Sequence, residues 1–481
     1  VLRTREAADV DAQDPDHLID LTLVRPTIVG ATISVRSRFS AVRFLAILCD
    51  GKPWATVPTF PRDGGDGITF SCQLPMVDRD RSMRVEARNA ETQEVLGHKA
   101  FDVGPLYNSF GLSAALVLDG AHGPLMSMLG LSFDGVKLVI SGGQLPPNGD
   151  PSQLRVEFDA GVAYTVEYPL PSPDFETHYW YWPNAGLSGI RITVDLLACA
   201  PGADPFRFRL VYPDLESLGG EARRKQAATA LVPTARTVYI PSNLSSFIGF
   251  PGNITQLTRV QGHDSPQSVT FTGYSVFRAL EAIMARHGIR ASTGTTVLDW
   301  GCGHGRVTRH FIQNWQDARI SGVDIDAENA AWCNENLPDG TFSQVPLWPP
   351  TSLKAASFDV IFGISVMTHL TAEAQQAWLE ELARLLKPGG LALLSFAGPG
   401  AVAFSSFWRD RPWWDAWLRS GFDDQQSDLA LQGKIPDATY YRNSYQMSDH
   451  VRSTYSKYLD VVAIELEQFG YQDLAILRKR T

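Results

Sequence analysis

The hydrophobic period of the chain changes once, near residue 240, and this change constrains the fold more than any other feature of the 481-residue sequence. From about residue 20 to residue 213 apolar residues recur mostly at every second position, the spacing of half-buried antiparallel strands. Val42 to Leu48 runs into Asp50-Gly51 and out through Trp54 to Val57, a hairpin pattern with a favoured turn dipeptide. Met83 to Arg88 alternates, and the same grammar returns in Val136 to Ile140, Leu154 to Phe158, Val162 to Tyr168, Ile190 to Leu196 and Phe206 to Tyr212. After a tail at 1–18, two antiparallel β-sandwich-like modules, 19–106 and 107–214, would account for this spacing. Residues 215–252 carry Gly219-Gly220, Pro233, Pro241 and Pro251 and read as a linker. Beyond them Tyr274 to His287 places Val276, Leu280 and Ile283 on one helical face and stops at Gly288. Strand-like runs then alternate with helical ones, which predicts an α/β domain over 253–481 with a parallel sheet and helices on both faces.

Composition narrows the function classes. A formal charge of −10 argues against nucleic acid or an anionic membrane as partner, because binding phosphates needs clustered Lys and Arg. The five cysteines are an odd number without Cys-x-x-Cys or Cys/His ligand spacing, which argues against a disulfide scaffold and a zinc site. No run approaches the roughly eighteen apolar residues of a membrane span. The first residues show no apolar core with a small-residue cleavage site, so the expected compartment is a reducing cytoplasm.

The chemistry concentrates after Thr296-Val297-Leu298-Asp299-Trp300, a buried-strand pattern that runs directly into Gly301-Cys302-Gly303-His304-Gly305-Arg306. Alternating glycines remove Cβ atoms where a chain must turn sharply and approach a ligand closely. Asp324 follows Gly305 by nineteen residues, at the end of the next strand-like run, where an acid can accept both ribose hydroxyls of a nucleoside. Nicotinamide-dependent dehydrogenases share this geometry.

The next two strands discriminate. Ser357-Phe358-Asp359-Val360-Ile361-Phe362-Gly363-Ile364-Ser365 and Leu385-Leu386-Lys387-Pro388-Gly389-Gly390-Leu391-Ala392-Leu393-Leu394, in order after VLDWGCGHGR, resemble the fourth and fifth strand signatures of class I S-adenosylmethionine-dependent methyltransferases. The resemblance covers about residues 270 to 478, including a terminal hairpin (Leu459 to Glu467, then Gln472 to Arg478) like the one that closes the family's seven-stranded, Rossmann-like sheet. It implies S-adenosylmethionine as cofactor, with Gly301, Gly303 and Gly305 along its methionine and ribose part, Asp299 supporting the loop and Asp324 on the ribose. Arg306 either meets the methionine carboxylate at a helix start or pairs on the surface. Where family members often hold an acid beside the adenine, this chain has Leu347-Trp348. Trp348 either stacks on the base or fills apolar space. Ile325 is a second candidate wall, and Ile364, at the end of the fourth strand, completes the implied cofactor set.

Methyl transfer is an in-line displacement in which proximity and orientation do most of the work, and no metal is required in principle. A hydroxyl acceptor also benefits from a general base. His369, at the exit of the fourth strand, is the first candidate; its other reading is to cap or pack the following helix. His304 reads as a cofactor-side residue, His310 as structural, and His450 as a weaker second base. Between the fifth strand and the terminal hairpin, residues 398–450 form an aromatic-rich insertion. Trp408, Trp413, Trp414 and Tyr441 are its candidates for holding an acceptor, the alternative being a small helix packing its rings on the sheet. SVMTHLTAEAQQAWLEELARLLKPGG and GYQDLAILRK resemble a subgroup associated with bacterial polysaccharide and glycan biosynthesis. That resemblance implies O-methylation of a sugar hydroxyl in a glycan or its precursor, with the β modules binding glycan or glycan-assembly proteins. The other readings are a small-molecule O- or N-methyltransferase and an S-adenosylmethionine-binding scaffold with little turnover. A second aromatic run, His178-Tyr179-Trp180-Tyr181-Trp182, reads as core or as a glycan-facing strand.

Overall fold

A computed structural model describes residues 19–25, 28–34, 42–58, 67–73, 82–102, 127–147, 150–178, 184–212, 225–226, 228–231, 234–241, 266–404, 411–433, 435–437 and 439–481. They divide into two compact units. The first comprises the described parts of Val1–Leu118, Pro171–Leu187 and Trp408–Arg411. It contains β1 (Ile19–Arg25), β2 (Ile28–Ser34), β3 (Phe44–Cys49), β4 (Lys52–Pro58), β5 (Gly67–Gln73), β6 (Ser82–Asn89) and β7 (Val95–Asp102). These strands form two antiparallel sheets, ordered β1-β2-β5 and β4-β3-β6-β7. Asp50 and Gly51 both take positive φ, 49° and 75°, and close the β3–β4 hairpin at the expected dipeptide. Leu45, Ile47, Val85 and Ala87 are buried at alternate positions, as period two requires.

The second unit joins the described parts of Asp119–Leu170 and Ser188–Phe407 to Pro412–Thr481. Its first portion has β8 (Ser127–Asp134), β9 (Lys137–Gln144), β10 (Arg155–Phe158), β11 (Tyr164–Leu170), β12 (Gly189–Asp195), β13 (Arg207–Val211) and β14 (Ala235–Tyr239). The antiparallel sheets β11-β12-β9-β8 and β10-β13-β14 share one core, with Leu138, Ile140 and Ile192 from one meeting Phe208, Leu210 and Val238 from the other. Phe271, from the helix that follows, belongs to the same cluster. The stretch 215–252 therefore holds more than connection. Its strand β14 pairs with β13 in register from Arg207–Tyr239 to Val211–Ala235. Proline and glycine content marked the breaks around that strand, and its five residues were too few to show a period.

The remainder is a Rossmann-like α/β fold. It contains α1 (Pro266–Arg286), β15 (Thr296–Trp300), α2 (Thr308–Asn314), β16 (Arg319–Asp324), α3 (Ala327–Asn336), β17 (Thr341–Gln344), β18 (Phe358–Gly363), α4 (Ala372–Leu385), β19 (Leu386–Ala397), α5 (Arg411–Ser420), β20 (Phe422–Ser427), β21 (Arg442–Gln446), α6 (Ser448–Tyr455), β22 (Asp460–Phe469) and β23 (Gln472–Arg478). Every residue of β15 is buried, as a central parallel strand demands. In α4 the Thr371 side chain accepts from the Ala374 N–H, and Ala374, Trp378, Leu382 and Leu385 form the buried stripe.

The sheet runs β17-β16-β15-β18-β19-β23-β22, parallel from β17 through β19, with β23 antiparallel to both β19 and β22. Among the described residues the sheet has nine strands rather than seven, because the insertion adds the β20–β21 hairpin. β23 follows one edge of β19 as far as Ala397, and β18 follows the other as far as Leu394. The pairing of Ala397 with Tyr445 on β21 thus falls on the edge that β18 vacates, above its carboxyl end. Open α/β sheets bind ligands outside those carboxyl ends. No described helix is long and apolar enough to cross a membrane.

Candidate functional site

The glycine loop is built by close approach. Gly301, Gly303 and Gly305 all have positive φ, 78°, 53° and 72°. A Cβ on Gly301 would lie 2.4 Å from Val366 Cγ2, and one on Gly305 would lie 2.5 Å from Leu337 Cδ1. Arg309 braces the loop from α2, donating to the Gly305 and His304 carbonyls at 3.0 Å each. Asp299 lies buried under the loop and accepts from the Thr308 hydroxyl. Burial raises its carboxyl to about 7, against the opposing effects of Thr308 and Arg306. At the end of β16, Asp324 accepts from the Gly303 N–H at 2.7 Å and the Asp326 N–H at 2.8 Å, which ties the second strand to the loop.

A cavity of about 950 Å³ opens over the carboxyl ends of the strands. Gly301, Gly303, Arg306 and Asp324 line it, with Ile325, Val345 and Ile364 as apolar wall. Close backbone approach at Cβ-free positions, a carboxylate on the neighbouring strand and apolar walls fit a nucleoside sulfonium, and the volume lies within the roughly 300–1,000 Å³ of ligand pockets. Residues 297–390 match the family described as "Methyltransferase domain". The chain carries an S-adenosylmethionine-dependent methyltransferase domain.

The matching relatives include a trans-aconitate 2-methyltransferase from Azoarcus sp. (strain BH72), 37% identical over 116 residues, 24% of this chain and 43% of the relative. A 2-methyl-6-phytyl-1,4-hydroquinone methyltransferase from Synechocystis sp. is 28% identical over 104 residues, 21% of this chain and 32% of the relative. The chain spans less than half the length of either. Among solved structures, magnesium protoporphyrin IX methyltransferase from Synechocystis with bound S-adenosylhomocysteine aligns with TM-score 0.31 and 18% identity, over 47% of this chain and 93% of that one.

Other residues of the methyltransferase domain stand in differing relation to the cavity. Asp299, beneath the loop, and Gly305, within it, do not line the cavity. Leu347 turns into the core, its carbonyl accepting from Trp378 Nε1 at 3.0 Å, and Trp348 is 40% exposed with its ring edge against Tyr440. Val345, two residues earlier, lines the cavity instead. His304 is fully buried and packs its ring edge on Trp332, away from the cavity lining. His310 packs against Tyr274 and Phe277, and His450 stacks on Phe422.

On the acceptor side, His369 and Tyr441 line the cavity and stack with ring centroids 4.3 Å apart and planes within 10°. His369 Nδ1 lies 3.3 Å from an Asp428 carboxylate oxygen. The imidazole is the largest influence on Asp428 and holds its carboxyl below the usual range, against burial. Leu370 bridges Tyr441 and its carbonyl accepts from the Ser444 hydroxyl, so the insertion is fastened to the loop that carries His369. Trp414 is fully buried, and Trp413 stacks on Trp417 at 5.8 Å; neither lines the cavity. Trp408 and Tyr179 to Trp182 lie outside the described residues.

Several lining residues escaped the sequence reading: Trp300, Ser365, Trp378, Asp428, Tyr440 and Tyr471. Ser365 was detectable as the residue leaving β18, and it takes φ 62°, a strained conformation for a residue with a Cβ. Its N–H donates to Ser395 Oγ at 2.7 Å, and Gln472 Nε2 donates to its hydroxyl at 2.8 Å. Asp428 carried no signal, since it lies in an insertion without a motif.

Proposed function

We propose that the protein transfers a methyl group from S-adenosylmethionine to an oxygen of a small polar acceptor bound in the same cavity. The observation that carries this reading is the single cavity, with the glycine loop and Asp324 on one wall and the His369, Asp428 and Tyr441 cluster on another. Gly301 and Gly303 would face the amino-acid and ribose portions, Asp324 the ribose hydroxyls and Arg306 the methionine carboxylate. Ile325 and Val345 would flank the adenine. The cofactor supplies, when bound, a methyl carbon already activated by a sulfonium.

For a hydroxyl acceptor, such as a sugar, a base is needed, and His369 is the group in place. With the Asp428 carboxylate 3.3 Å from Nδ1, a proton on that nitrogen would be favoured, which would leave Nε2 as the accepting atom. Asp428 is then a positioning residue, and Tyr441 fixes the ring plane by stacking. A sugar ring would also suit the aromatic faces of Tyr441 and Tyr440. A carboxylate acceptor is the second reading, favoured by the trans-aconitate relatives, and it needs no base because the oxygen is already ionised. The two sheets of the second unit that share one core suit a sandwich fold, and we assign them to holding or presenting the acceptor.

Calorimetry with S-adenosylhomocysteine tests the cofactor site, and absence of binding sinks the proposal. Labelled S-adenosylmethionine separates the acceptors. A methyl ester releases labelled methanol in mild base, whereas a sugar methyl ether does not.

A further inference from the structure

Three adjacent strands contribute to one small polar network at the cavity. Ser365 follows β18, Ser395 lies on β19 and Gln472 opens β23. Ser365 and Gln472 line the cavity, whereas Ser395 is fully buried and does not. The direction of each bond follows from one donor that cannot be reversed. A backbone N–H only donates, so the Ser365 N–H gives its hydrogen to Ser395 Oγ at 2.7 Å. The Ser395 hydroxyl then gives its own hydrogen to the Gln472 amide 2.7 Å away, and the atom that receives it is Oε1. The amide therefore turns Nε2 toward Ser365 and donates to its hydroxyl oxygen at 2.8 Å.

With its oxygen accepting from Nε2, the Ser365 hydroxyl has one hydrogen left to place. Within the network the remaining partner is Gln472 Oε1, at 3.2 Å, an atom that already accepts from Ser395 at the shorter distance. An oxygen lone pair in the cavity is a better destination for that hydrogen. Ser365 also takes φ 62°, which a glycine would adopt without cost. A residue with a Cβ keeps such a conformation only where its surroundings fix it, and here the Ser395 hydroxyl holds its N–H. The chain around it links the two walls of the cavity: Val366 packs against Gly301 of the glycine loop, and His369 follows three residues after Val366. A serine at this junction places a hydroxyl between cofactor and acceptor sides at the expense of backbone strain.

We propose that the Ser365 hydroxyl donates a hydrogen bond to an oxygen of the methyl acceptor, a carboxylate or a hydroxyl oxygen, and that Gln472 is a positioning residue that turns the hydroxyl hydrogen toward the cavity. This rests on the methyltransferase reading of the cavity and adds to it a residue that selects the acceptor by an oxygen lone pair.

The test uses the full chain saturated with S-adenosylhomocysteine and two probes in calorimetry, citrate and glucose. At least one is expected to bind. Ser365→Gly suits the φ and removes the hydroxyl, so it is expected to keep or raise the melting temperature and to hold S-adenosylhomocysteine affinity within about twofold, while the bound probe weakens roughly tenfold, the size of one hydrogen bond. Ser365→Cys keeps a side chain of similar shape with a weaker donor, and it is expected to fall between wild type and Ser365→Gly. Gln472→Leu is expected to weaken the same probe and to cost nothing further when added to Ser365→Gly, because its effect passes through the hydroxyl. Preference for citrate or for glucose distinguishes the carboxylate oxygen from the hydroxyl oxygen. Failure of both probes to bind wild type, or equal binding by wild type and Ser365→Gly, overturns the assignment. Additive losses in the double variant overturn the positioning by Gln472. If Ser365→Gly loses more affinity for S-adenosylhomocysteine than for the probe, the hydroxyl serves the cofactor and the assignment falls. Absence of S-adenosylhomocysteine binding by wild type is a separate outcome and overturns the cofactor reading instead.

Discussion

Gly301 joins two constraints that no other residue type satisfies together, a φ of 78° and a Cβ position 2.4 Å from Val366. Gly301→Ala is expected to lower stability by about 1–3 kcal/mol and to abolish measurable cofactor binding, read by denaturation and calorimetry. Adding Val366→Ala relieves the clash but not the φ, so the double variant should recover only part of the loss. Asp324→Ala removes the acceptor of the Gly303 N–H as well as the proposed ribose contact. Its S-adenosylhomocysteine affinity should fall roughly tenfold to a hundredfold, the size of one or two hydrogen bonds to a charged group. With a hydroxyl acceptor, His369→Ala should cost about a hundred- to ten-thousand-fold in turnover. Asp428→Asn should shift the pH profile while sparing cofactor affinity, a pattern that loss of packing alone does not give. The placement of Gly301 and Asp324 at the loop was legible because backbone geometry at a strand-to-loop turn restricts residue type and spacing. Asp428 was not, because its place beside His369 comes from a tertiary contact that leaves no periodic trace.

The helical elements around the loop bury two imidazoles. His304 and His310 are both pushed down to about 3, mainly by desolvation and further by Arg309 and Arg306. A histidine with a folded value below its unfolded value stays neutral in the fold. The unfolded chain therefore binds more protons between about pH 3 and 6.5, and stability falls as pH drops through that window. At pH 5 the cost is about 2 kcal/mol for each ring relative to pH 7. Urea unfolding at the two pH values checks this, and His310→Gln should flatten the slope by about half. The runs of β15, β16, β18 and β19 were readable because buried parallel strands are continuous apolar runs, whereas Thr341-Phe342-Ser343-Gln344 of β17 is not such a run. The β20–β21 hairpin was not: Phe422-Asp423-Asp424-Gln425-Gln426-Ser427 and Arg442-Asn443-Ser444-Tyr445-Gln446 lack an apolar alternation. Tertiary bonds hold that pair, among them Trp417 Nε1 to the Tyr445 carbonyl at 3.1 Å.

At the scale of the whole molecule, the period change near residue 240 separates two kinds of secondary structure without marking where the cofactor-binding fold becomes self-sufficient. Leu231 bridges Glu465 on the outer strand β22, donating to the Ile464 carbonyl at 2.7 Å and accepting from the Leu466 N–H at 3.0 Å. Gln226 bonds Asp473 and accepts from the Ser448 N–H at 2.8 Å, and Arg452 donates to the Thr229 carbonyl at 2.6 Å. Phe271 on α1 is buried in the core of the preceding sheets. A fragment covering 253–481 would lose these bonds, expose an unpaired strand edge and uncover that phenylalanine. It is expected to aggregate, or to melt well below the full chain without a shift on adding S-adenosylhomocysteine. A fragment covering 119–481 keeps the 225–231 segment, β14 and both sheets of the second unit. It should retain cofactor affinity within a few-fold of the full chain, together with a ligand-induced rise in melting temperature. Equal behaviour of the two fragments in thermal melts would mean that the segment before residue 253 contributes nothing to the cofactor-binding fold, contrary to the bonds that Leu231 and Gln226 make across it.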